Sequence, residues 1–346
     1  MEIEAAIENE YKRLMAFCQS KELPEYMLNI SQEWSQGIWK MYWALLEKVK
    51  TGFEGKSVVD FGCKYGHLLP MLVAQGAKEA IGIDAEDSYV EAGQAVFEIL
   101  YPNVRILKSE FGYIPLQPET IDIIVANEVI SHINPGYLET VYVEFARILK
   151  PGGILLISDG NNLENKQCLG TLLPFYEAWE NGPDGMKTDR DTVVESYLTR
   201  RKKIIKAHHP DLEPACVEEL ALNTSGLFGD FLLRVIDEYV RSGELIRRPY
   251  RRGVCPTNPG STGVVIERGF FPLQVEMSLA SYGIDCYLAS RQQPEKAEGC
   301  VERLKDIYSY ARSRLSDRPC KRAPKVGQPE ARGNEPENFT IIGIKK

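Results

Sequence analysis

A short apolar stretch that runs into a glycine-containing turn is the first feature of the sequence suited to chemistry. Residues 58–66 read Val-Val-Asp-Phe-Gly-Cys-Lys-Tyr-Gly, and a helical pattern follows them. Glycine in such a turn lets the backbone approach a ligand, and the N-terminus of the helix offers free N–H groups to an anion. Asp84 ends the next apolar stretch, 24 residues after Asp60. A carboxylate at that place can accept both hydroxyls of a ribose, so the spacing predicts a site for a ribose-containing ligand.

Two side chains are candidates for general acid–base chemistry. His132 follows the apolar stretch Ile121–Asn127, and Asp159 ends the next one, Ile154–Asp159. Ligands of open parallel sheets bind at the carboxyl ends of the strands, which is where both residues lie in the chain. A neutral imidazole suits a base near neutral pH, so His132 is the first candidate and Asp159 the second.

The adjacent histidines His208 and His209 precede Pro210-Asp211. Contact with a substrate, or metal binding together with a carboxylate, is one interpretation. Adjacent side chains on a helix point in different directions, which favours a solvated or structural role instead. We therefore predict no metal site.

Two basic clusters stand out in a chain that carries a net charge of −8. One extends from Arg200 to Lys206, and the other contains Arg247, Arg248, Arg251 and Arg252. A solvated face would explain both clusters. The alternative is recognition of an anionic substrate, because arginine binds carboxylate and phosphate at two points. The second cluster lies in a stretch rich in glycine and proline, so we predict that its four arginines contact an anionic part of the substrate.

Strand and helix patterns alternate between residues 55 and 160 and predict an α/β fold. The expected strands are 56–61, 80–84, 103–108, 121–127 and 154–159, with a turn at Lys150–Gly153 before the last of them. Strands that are apolar on both faces indicate a parallel sheet with helices on both faces. Ser88 and Glu91 are spaced as a capping box at the start of a helix. Residues 339–344 are predicted to add a last, antiparallel strand.

The remaining patterns divide the chain into four predicted regions. Residues 1–50 are predicted to form a helical N-terminal flap, and packing into the core is the simpler explanation of their apolar face. Residues 51–162 form the ligand-binding core, and residues 163–270 an inserted lid that is mainly helical between about 190 and 242, followed by a loop at 247–263. Residues 271–346 return to the core, with a mobile loop at about 317–337.

Composition excludes several classes of function. The chain has 346 residues, 44% hydrophobic and 26% charged, as is typical of globular proteins. The net charge of −8 disfavours a nucleic-acid partner, which needs a basic face. No apolar run approaches the ~20 residues needed to cross a bilayer, and no signal peptide is visible. Eight cysteines without CxxC spacing suggest free thiols and a cytoplasmic location.

The ordered motifs resemble those of the class I S-adenosylmethionine (SAM)-dependent methyltransferases, over residues 55–160 and more loosely over 272–290 and 338–345. Residues 60–66 resemble the glycine loop of that family, with Lys64 in place of its middle glycine. Gly-Ile-Asp84 is similar to the acidic second motif, and residues 109–116 to the stretch that contacts adenine. Asp122 with His132 resembles the fourth-strand motif, and residues 149–153 are close to the "LKPGG" turn.

The resemblance implies a Rossmann-like sheet, SAM as cofactor and a set of cofactor-binding residues. It places Glu110 at the adenine amino group and the Phe111 backbone at the ring edge. The full implied set is Asp60, Gly62, Cys63, Gly66, Asp84, Ala85, Glu110, Phe111 and Asn127.

We therefore expect a methyltransferase that acts by in-line displacement on a small acceptor. The arginine cluster at 247–252 would suit an acceptor that carries negative charge. One alternative is a methyltransferase acting on RNA or protein. Another is a methyltransferase-like binding module without turnover, and Lys64 in the glycine loop is the feature that would explain the loss of turnover. Neither the acceptor, nor the atom methylated, nor the oligomeric state follows from the sequence.

Overall fold

The computed structural model describes residues 2–20, 39–66, 68–134, 136–187, 193–245, 254–257, 265–289 and 338–346. The helices are α1 (Glu2–Ser20), α2 (Trp39–Leu46), α3 (Leu69–Ala74), α4 (Asp87–Leu100), α5 (Leu138–Ile148), α6 (Lys166–Asn181), α7 (Tyr197–His208), α8 (Pro214–Asn223), α9 (Gly229–Ser242) and α10 (Pro272–Ser281). The strands are β1 (Ser57–Phe61), β2 (Glu79–Asp84), β3 (Val104–Lys108), β4 (Ile121–Asn127), β5 (Leu149–Asp159), β6 (Met186–Lys187), β7 (Val193–Val194), β8 (Val254–Thr257), β9 (Val265–Arg268), β10 (Ile284–Leu288) and β11 (Phe339–Lys345).

Seven of the strands form one sheet in the order β10-β11-β5-β4-β1-β2-β3. Strands β1 to β5 are parallel, and β11 runs antiparallel to both β5 and β10. This arrangement confirms the predicted α/β fold, its Rossmann-like sheet and its antiparallel last strand. The strand order reverses at β1, since β2 lies on one side of β1 and β4 on the other. Such a switch in strand order opens a crevice at the carboxyl ends of the neighbouring strands.

Helices cover both faces of the sheet because its strands are apolar on both faces. In β4, the four residues Ile123–Ala126 are buried in succession. Helices α1 to α4 contribute to the core on one face, with Leu46 and Phe97 among its buried residues. Helices α5 and α10 contribute to the core on the other face, with Phe145 and Leu279. The N-terminal helix α1 is thus anchored in the main core, where it packs against α3.

Helices α7, α8 and α9 have an apolar core of their own. Ile205, Leu220, Leu232 and Ile236 are fully buried within it. The described residues from Tyr197 to Ser242 are thus mainly helical, and helix α6 precedes them. No helix among the described residues combines the length and the apolar character that a bilayer span requires.

Three local predictions were wrong. Helix α4 begins at Asp87 after Glu86, without a side-chain cap, so Ser88 is already inside the helix and forms no capping box. Strand β5 begins at Leu149 and continues through the predicted turn, where Gly152 takes a φ of 77°. In the predicted loop at 247–263, residues 254–257 form β8, which pairs with β9.

A buried ion pair ties α6 to α7 and to the turn after α8. The guanidinium of Arg201 donates from Nη2 to Glu180 Oε1 at 2.7 Å and from Nε to the carbonyl of Ala221 at 2.9 Å. Glu180 Oε1 also accepts hydrogen bonds from Ser225 Oγ and from the Gly226 N–H. Both charged side chains are almost completely inaccessible to solvent. Arg201 is therefore an internal cross-link and not part of a solvated basic face.

Replacing Glu180 should destabilise the protein far more than replacing a carboxylate of a surface ion pair. Glu180→Gln leaves the Arg201 charge buried without its counter-ion, and such changes cost about 3–5 kcal/mol. Glu195→Gln is the matched control, because Glu195 pairs with Lys203 and Arg200 at the surface and such pairs contribute about 0–1 kcal/mol. Denaturant unfolding of the two variants measures both free energies. Equal losses would show that the buried pair contributes no more than the surface pair.

Candidate functional site

A cavity of about 720 Å³ opens at the carboxyl ends of β1 to β4, at the switch in strand order. This volume lies within the range of roughly 300–1,000 Å³ typical of small-molecule sites. Six predicted site residues line it, and they come from four separate segments of the chain: Gly62, Asp84, Ala85, Glu110, Phe111 and His132. The first turn of α9, Phe228–Phe231, lines the same cavity. The cavity therefore lies between the sheet and the helical insertion.

The turn after β1 requires glycine at position 62. Gly62 has a φ of 76°, and a Cβ atom there would lie 2.2 Å from a side-chain carbon of Val129. The N–H groups of Gly62 and Cys63 both donate to the carbonyl of Ile83, at 2.7 and 3.0 Å. These bonds fasten the end of β1 to the end of β2 and leave the turn facing the cavity.

Lys64 also adopts a left-handed conformation, with a φ of 49°. This conformation costs an L-residue roughly 1–2 kcal/mol, which explains why a glycine is typical at this position of the motif. The Lys64 N–H donates to Asp84 Oδ2 at 2.8 Å, and a hydrogen bond to a charged acceptor offsets a cost of that size. The turn thus keeps its shape with lysine at this position, and Lys64 lines the cavity.

Asp84 is oriented by backbone groups on both sides of it. Oδ2 accepts the Lys64 N–H, and Oδ1 accepts the Glu86 N–H at 3.1 Å. Burial raises the pKa of Asp84, although these hydrogen bonds oppose the shift. Each carboxylate oxygen has two acceptor sites, so both oxygens retain capacity for a ligand. The position agrees with the expected role toward a ribose.

Asp60 lies behind the turn and not in the cavity lining. It is buried, and desolvation together with the nearby Asp84 raises its pKa to about 7, while the Leu68 N–H lowers it. Cys63, Gly66 and Asn127 are likewise absent from the lining. A Cβ atom at Gly66 would lie 2.6 Å from the ring of Phe97, so this glycine serves close packing beneath the turn.

Glu110 and Phe111 line the cavity beyond β3. A pair of backbone hydrogen bonds between Glu110 and Tyr113 closes this segment, in which Phe111 has a φ of 53°. The Phe111 ring is more than half exposed. The carboxylate of Glu110 lies 3.7 Å from the ammonium of Lys108, which also pairs with Asp87 at 2.7 Å. Glu110 is therefore accessible to a ligand but partly neutralised.

His132 and Asp159 have different relations to the cavity. His132 ends a short 3₁₀ helix, Ile130–His132, and lines the cavity. Asp159 is fully buried and absent from the lining, and its Oδ2 accepts the Ser131 N–H at 3.1 Å. The carboxylate of Asp159 thus holds the backbone of Ser131, next to His132.

Glu128 is a lining residue that our sequence analysis missed. Its φ is 50°, and its carboxylate accepts hydrogen bonds from the Gly160 N–H at 3.1 Å and from Asn338 Nδ2 at 3.2 Å. It therefore connects the end of β4 with the residue after β5 and the residue before β11. The fourth-strand motif with Asp122 and His132 gives no signal for this position, because the link depends on residues distant in sequence.

An aromatic group at the cavity was also missed. The ring of Tyr137 lies edge-on to Phe111 and Phe231, with centroid distances of 5.6 Å to each. The guanidinium of Arg234 lies over both phenylalanine rings, and its Nη2 donates to the Tyr137 hydroxyl at 2.6 Å. The three rings come from the β3–β4 connection, the start of α5 and α9. No spacing in the sequence brings them together.

The basic clusters contribute no described residue to the cavity lining. Arg247, Arg248, Arg251 and Arg252 lie outside the described residues, so their contact with an acceptor stays a prediction. In the first cluster, Arg201 is buried against Glu180, and Lys202 pairs with Glu218 at 2.5 Å. Lys206 donates to the carbonyls of Pro210 and Leu212. These cations stabilise the helical insertion.

The raised pKa of Asp60 makes a prediction about stability. Its ordinary pKa of 3.8 rises to about 7 in the folded protein, so the folded state binds more protons than the unfolded state between these values. The free energy of unfolding therefore loses up to about 1.4 kcal/mol per pH unit as the pH rises through this window. Asp60→Asn removes that loss, and its stability relative to wild type should increase as the pH is raised from about 5 to about 8.

Denaturant unfolding across that pH range measures the difference. Asp122→Asn is the control, because Asp122 is held by the Ser57 N–H and by Lys150 at the opposite edge of the sheet, and its pKa is lowered. Its ionisation is complete throughout the range, so the effect of its replacement should not vary with pH. A pH-independent effect of Asp60→Asn would contradict the assignment.

Comparison with known proteins agrees with this geometry. Residues 58–153 match the family model described as "Methyltransferase domain". A probable SAM-dependent methyltransferase of Mycolicibacterium smegmatis is 33% identical over 124 residues, which are 35% of this chain and 45% of the relative. The human mitochondrial ubiquinone biosynthesis O-methyltransferase is 32% identical over 34% of this chain and 32% of its own. A crystal structure of a SAM-dependent methyltransferase from Aquifex aeolicus is 30% identical over 33% of this chain and 63% of its own, with a TM-score of 0.30.

The chain thus spans less than half the length of these two curated relatives. The range that matches the family model carries most of the cavity lining, and the remainder comes from residues 228–231. The match extends over β1 to the start of β5 and includes the glycine turn, Asp84, Glu110 and His132. Residues 58–153 thus match a methyltransferase domain, and this part of the chain is similar to the class I SAM-dependent methyltransferases, whose cofactor is S-adenosylmethionine.

Proposed function

We propose that this chain is a SAM-dependent methyltransferase that acts on a small acceptor. One observation carries the proposal: the strand ends that hold the cofactor motifs and the first turn of α9 line a single cavity. A cavity enclosed in this way suits a molecule that enters whole. The negative charge of the chain and the neutralised first basic cluster argue against a nucleic-acid acceptor.

The residues present suit SAM. Gly62 lines the cavity without a side chain, so a ligand can lie against the backbone of the turn. Asp84 offers an oriented carboxylate to ribose hydroxyls, and Glu110 offers one to the adenine amino group. Ile83, Ala85 and Phe111 supply apolar surface beside them. Asp60, Cys63, Gly66 and Asn127 would act indirectly, by supporting the turn and the strand ends.

When bound, SAM supplies a methyl group that its sulfonium already activates for in-line displacement. The task of the chain is then to align the acceptor and to exclude water, and alignment alone can contribute roughly 7–11 kcal/mol. Phe228 and Phe231 face the strand ends across the cavity and would cover the acceptor. Tyr137 and Arg234 hold the Phe231 and Phe111 rings in place. Arg247, Arg248, Arg251 and Arg252 remain candidates for binding an anionic group of the acceptor.

His132 is the residue we assign to proton transfer. It lines the cavity on a rigid 3₁₀ turn, and an oxygen or nitrogen acceptor releases a proton as it is methylated. Asp159 is better suited to positioning than to proton transfer, since it is buried and accepts the Ser131 N–H. It would hold the turn that carries His132.

Replacing Asp84 should weaken SAM binding. Asp84→Asn keeps one oxygen for the Lys64 N–H but removes the charge that accepts the ribose hydroxyls, and bonds of that kind contribute about 1.5–3 kcal/mol. Isothermal titration with SAM measures the change. Glu86→Gln is the control, because this neighbouring carboxylate lies outside the lining. Equal affinities for wild type and Asp84→Asn, with the fold intact, would remove Asp84 from the site.

Incubation of the protein with methyl-labelled SAM and a metabolite extract tests the function itself. We expect label in a small molecule, with transfer lost in step with SAM affinity in Asp84→Asn. Label in protein or RNA alone would replace the small acceptor with a polymer. SAM binding without transfer to any fraction would favour a binding module.

His132→Ala should lower kcat by about 10²-fold or more while leaving SAM affinity unchanged, as expected for loss of a general base. Asp159→Asn retains an acceptor for the Ser131 N–H and should cost much less. Steady-state kinetics on the acceptor identified above, with titration of SAM, separate the two effects. A loss under about fivefold for His132→Ala would mean that alignment suffices, and a larger loss for Asp159→Asn would move the proton transfer to that residue.

A further inference from the structure

A second group of chemically active side chains lies in the helical insertion, outside the cavity lining. His208 is the last residue of α7, His209 follows it, and Asp237 lies in the middle of α9. Nε2 of His208 lies 2.8 Å from Asp237 Oδ1, and Nε2 of His209 lies 2.7 Å from the same oxygen. The three ligand atoms lie within 4.8 Å of one another. Two imidazoles thus converge on one carboxylate.

The end of the helix explains how adjacent histidines can converge. His209 leaves the helical conformation, with φ of −125° and ψ of 83°, while its N–H still donates to the carbonyl of Ile205. The two side chains therefore do not point in directions about 100° apart, as adjacent residues inside a helix do. Their ring centroids are 4.6 Å apart, with the ring planes at 78°. This geometry removes the argument from helical directions that favoured a solvated pair.

We propose that His208, His209 and Asp237 bind a divalent transition metal ion, with zinc as the best match. Two neutral imidazoles and a carboxylate form a donor set that zinc commonly takes, with water as the fourth ligand. Zn–N and Zn–O bonds of about 2.0–2.2 Å place tetrahedral donors about 3.3 Å apart. The observed separations of 2.7 and 2.8 Å lie within about half an ångström of that requirement, so small rotations of the side chains would admit the ion.

The site is accessible and carries a suitable charge. The side chains of the two histidines are 34% and 26% exposed, and that of Asp237 is 52% exposed, so an ion can enter without unfolding the helices. The ammonium of Lys206, two residues before His208, is bonded to the carbonyls of Pro210 and Leu212. One carboxylate among neutral imidazoles leaves the bound ion with net positive charge, which is compatible with a bound water or hydroxide.

The position of the site gives the ion a structural effect. It would cross-link the end of α7 to α9, whose first turn lines the cavity. An ion that binds only the folded insertion stabilises it by mass action. Metal binding would thus hold the residues that cover the acceptor, although the site itself does not depend on the proposed methyl transfer.

Titration of the full chain, prepared without a histidine tag, tests the proposal. We expect one equivalent of Zn²⁺ to bind with a dissociation constant in the micromolar range or below. Co²⁺ in its place should give the visible absorption of a four-coordinate ion. His208→Gln, His209→Gln and Asp237→Asn should each weaken binding by more than about tenfold, since even removal of a residue behind a ligand can cost that much. Zn²⁺ should also raise the Tm of the wild type and not that of the three variants.

Glu238→Gln is the matched control. It removes the same charge one residue further along α9, where Glu238 pairs with Arg241, and it should bind Zn²⁺ as the wild type does. Circular dichroism confirms that each variant is folded. Absence of binding by the wild type, or binding that the three ligand variants leave unchanged, would overturn the proposal and leave the cluster as a hydrogen-bonded group. Because the readouts are metal binding and Tm, a failure of methyl transfer would not affect them.

Discussion

The carboxylate of Asp84 is the point on which the geometry of the cavity depends. One oxygen accepts the Lys64 N–H and the other accepts the Glu86 N–H. The same side chain therefore joins the end of β2 to the turn after β1 and to the residue that precedes α4. Without it, the left-handed Lys64 would lack its compensating bond, and the turn would lose the shape that leaves room for a ligand. A side chain at the end of one strand thus organises the connection of its neighbour.

Buried acidic groups support the site from behind. Asp60 lies beneath the glycine turn, and Asp159 holds the turn that carries His132. Neither lines the cavity, yet both lie next to residues that do. Burial of such groups costs free energy, which backbone N–H donors partly offset in this protein. The arrangement resembles the supporting shells that keep binding residues within narrow geometric limits.

Periodicity and motif order were sufficient to predict most of the sheet. Strand β4 was predicted with its observed limits, and β11 with an error of one residue, because continuous apolar runs leave few alternatives. The start of α4 was mispredicted, since the helix begins at Asp87 without a side-chain cap and Ser88 already lies inside it. The aromatic group around Tyr137 and the contacts of Glu128 could not be predicted, because they join segments far apart in sequence. His208 and His209 were judged by helical directions, which do not apply beyond the last residue of a helix.

The contacts of Glu128 have a further consequence for the way this fold accommodates change. Gly160 and Asn338 flank the long stretch of chain that leaves the sheet after β5 and returns to it as β10 before β11 begins, and one carboxylate holds both of them. Backbone pairing of β11 with β5 fastens the two ends as well. The entropy of closing a loop grows only with the logarithm of its length. Residues between Gly160 and α10 can therefore be inserted or removed at little cost to the sheet, so one cofactor-binding core can carry covers of very different size and selectivity.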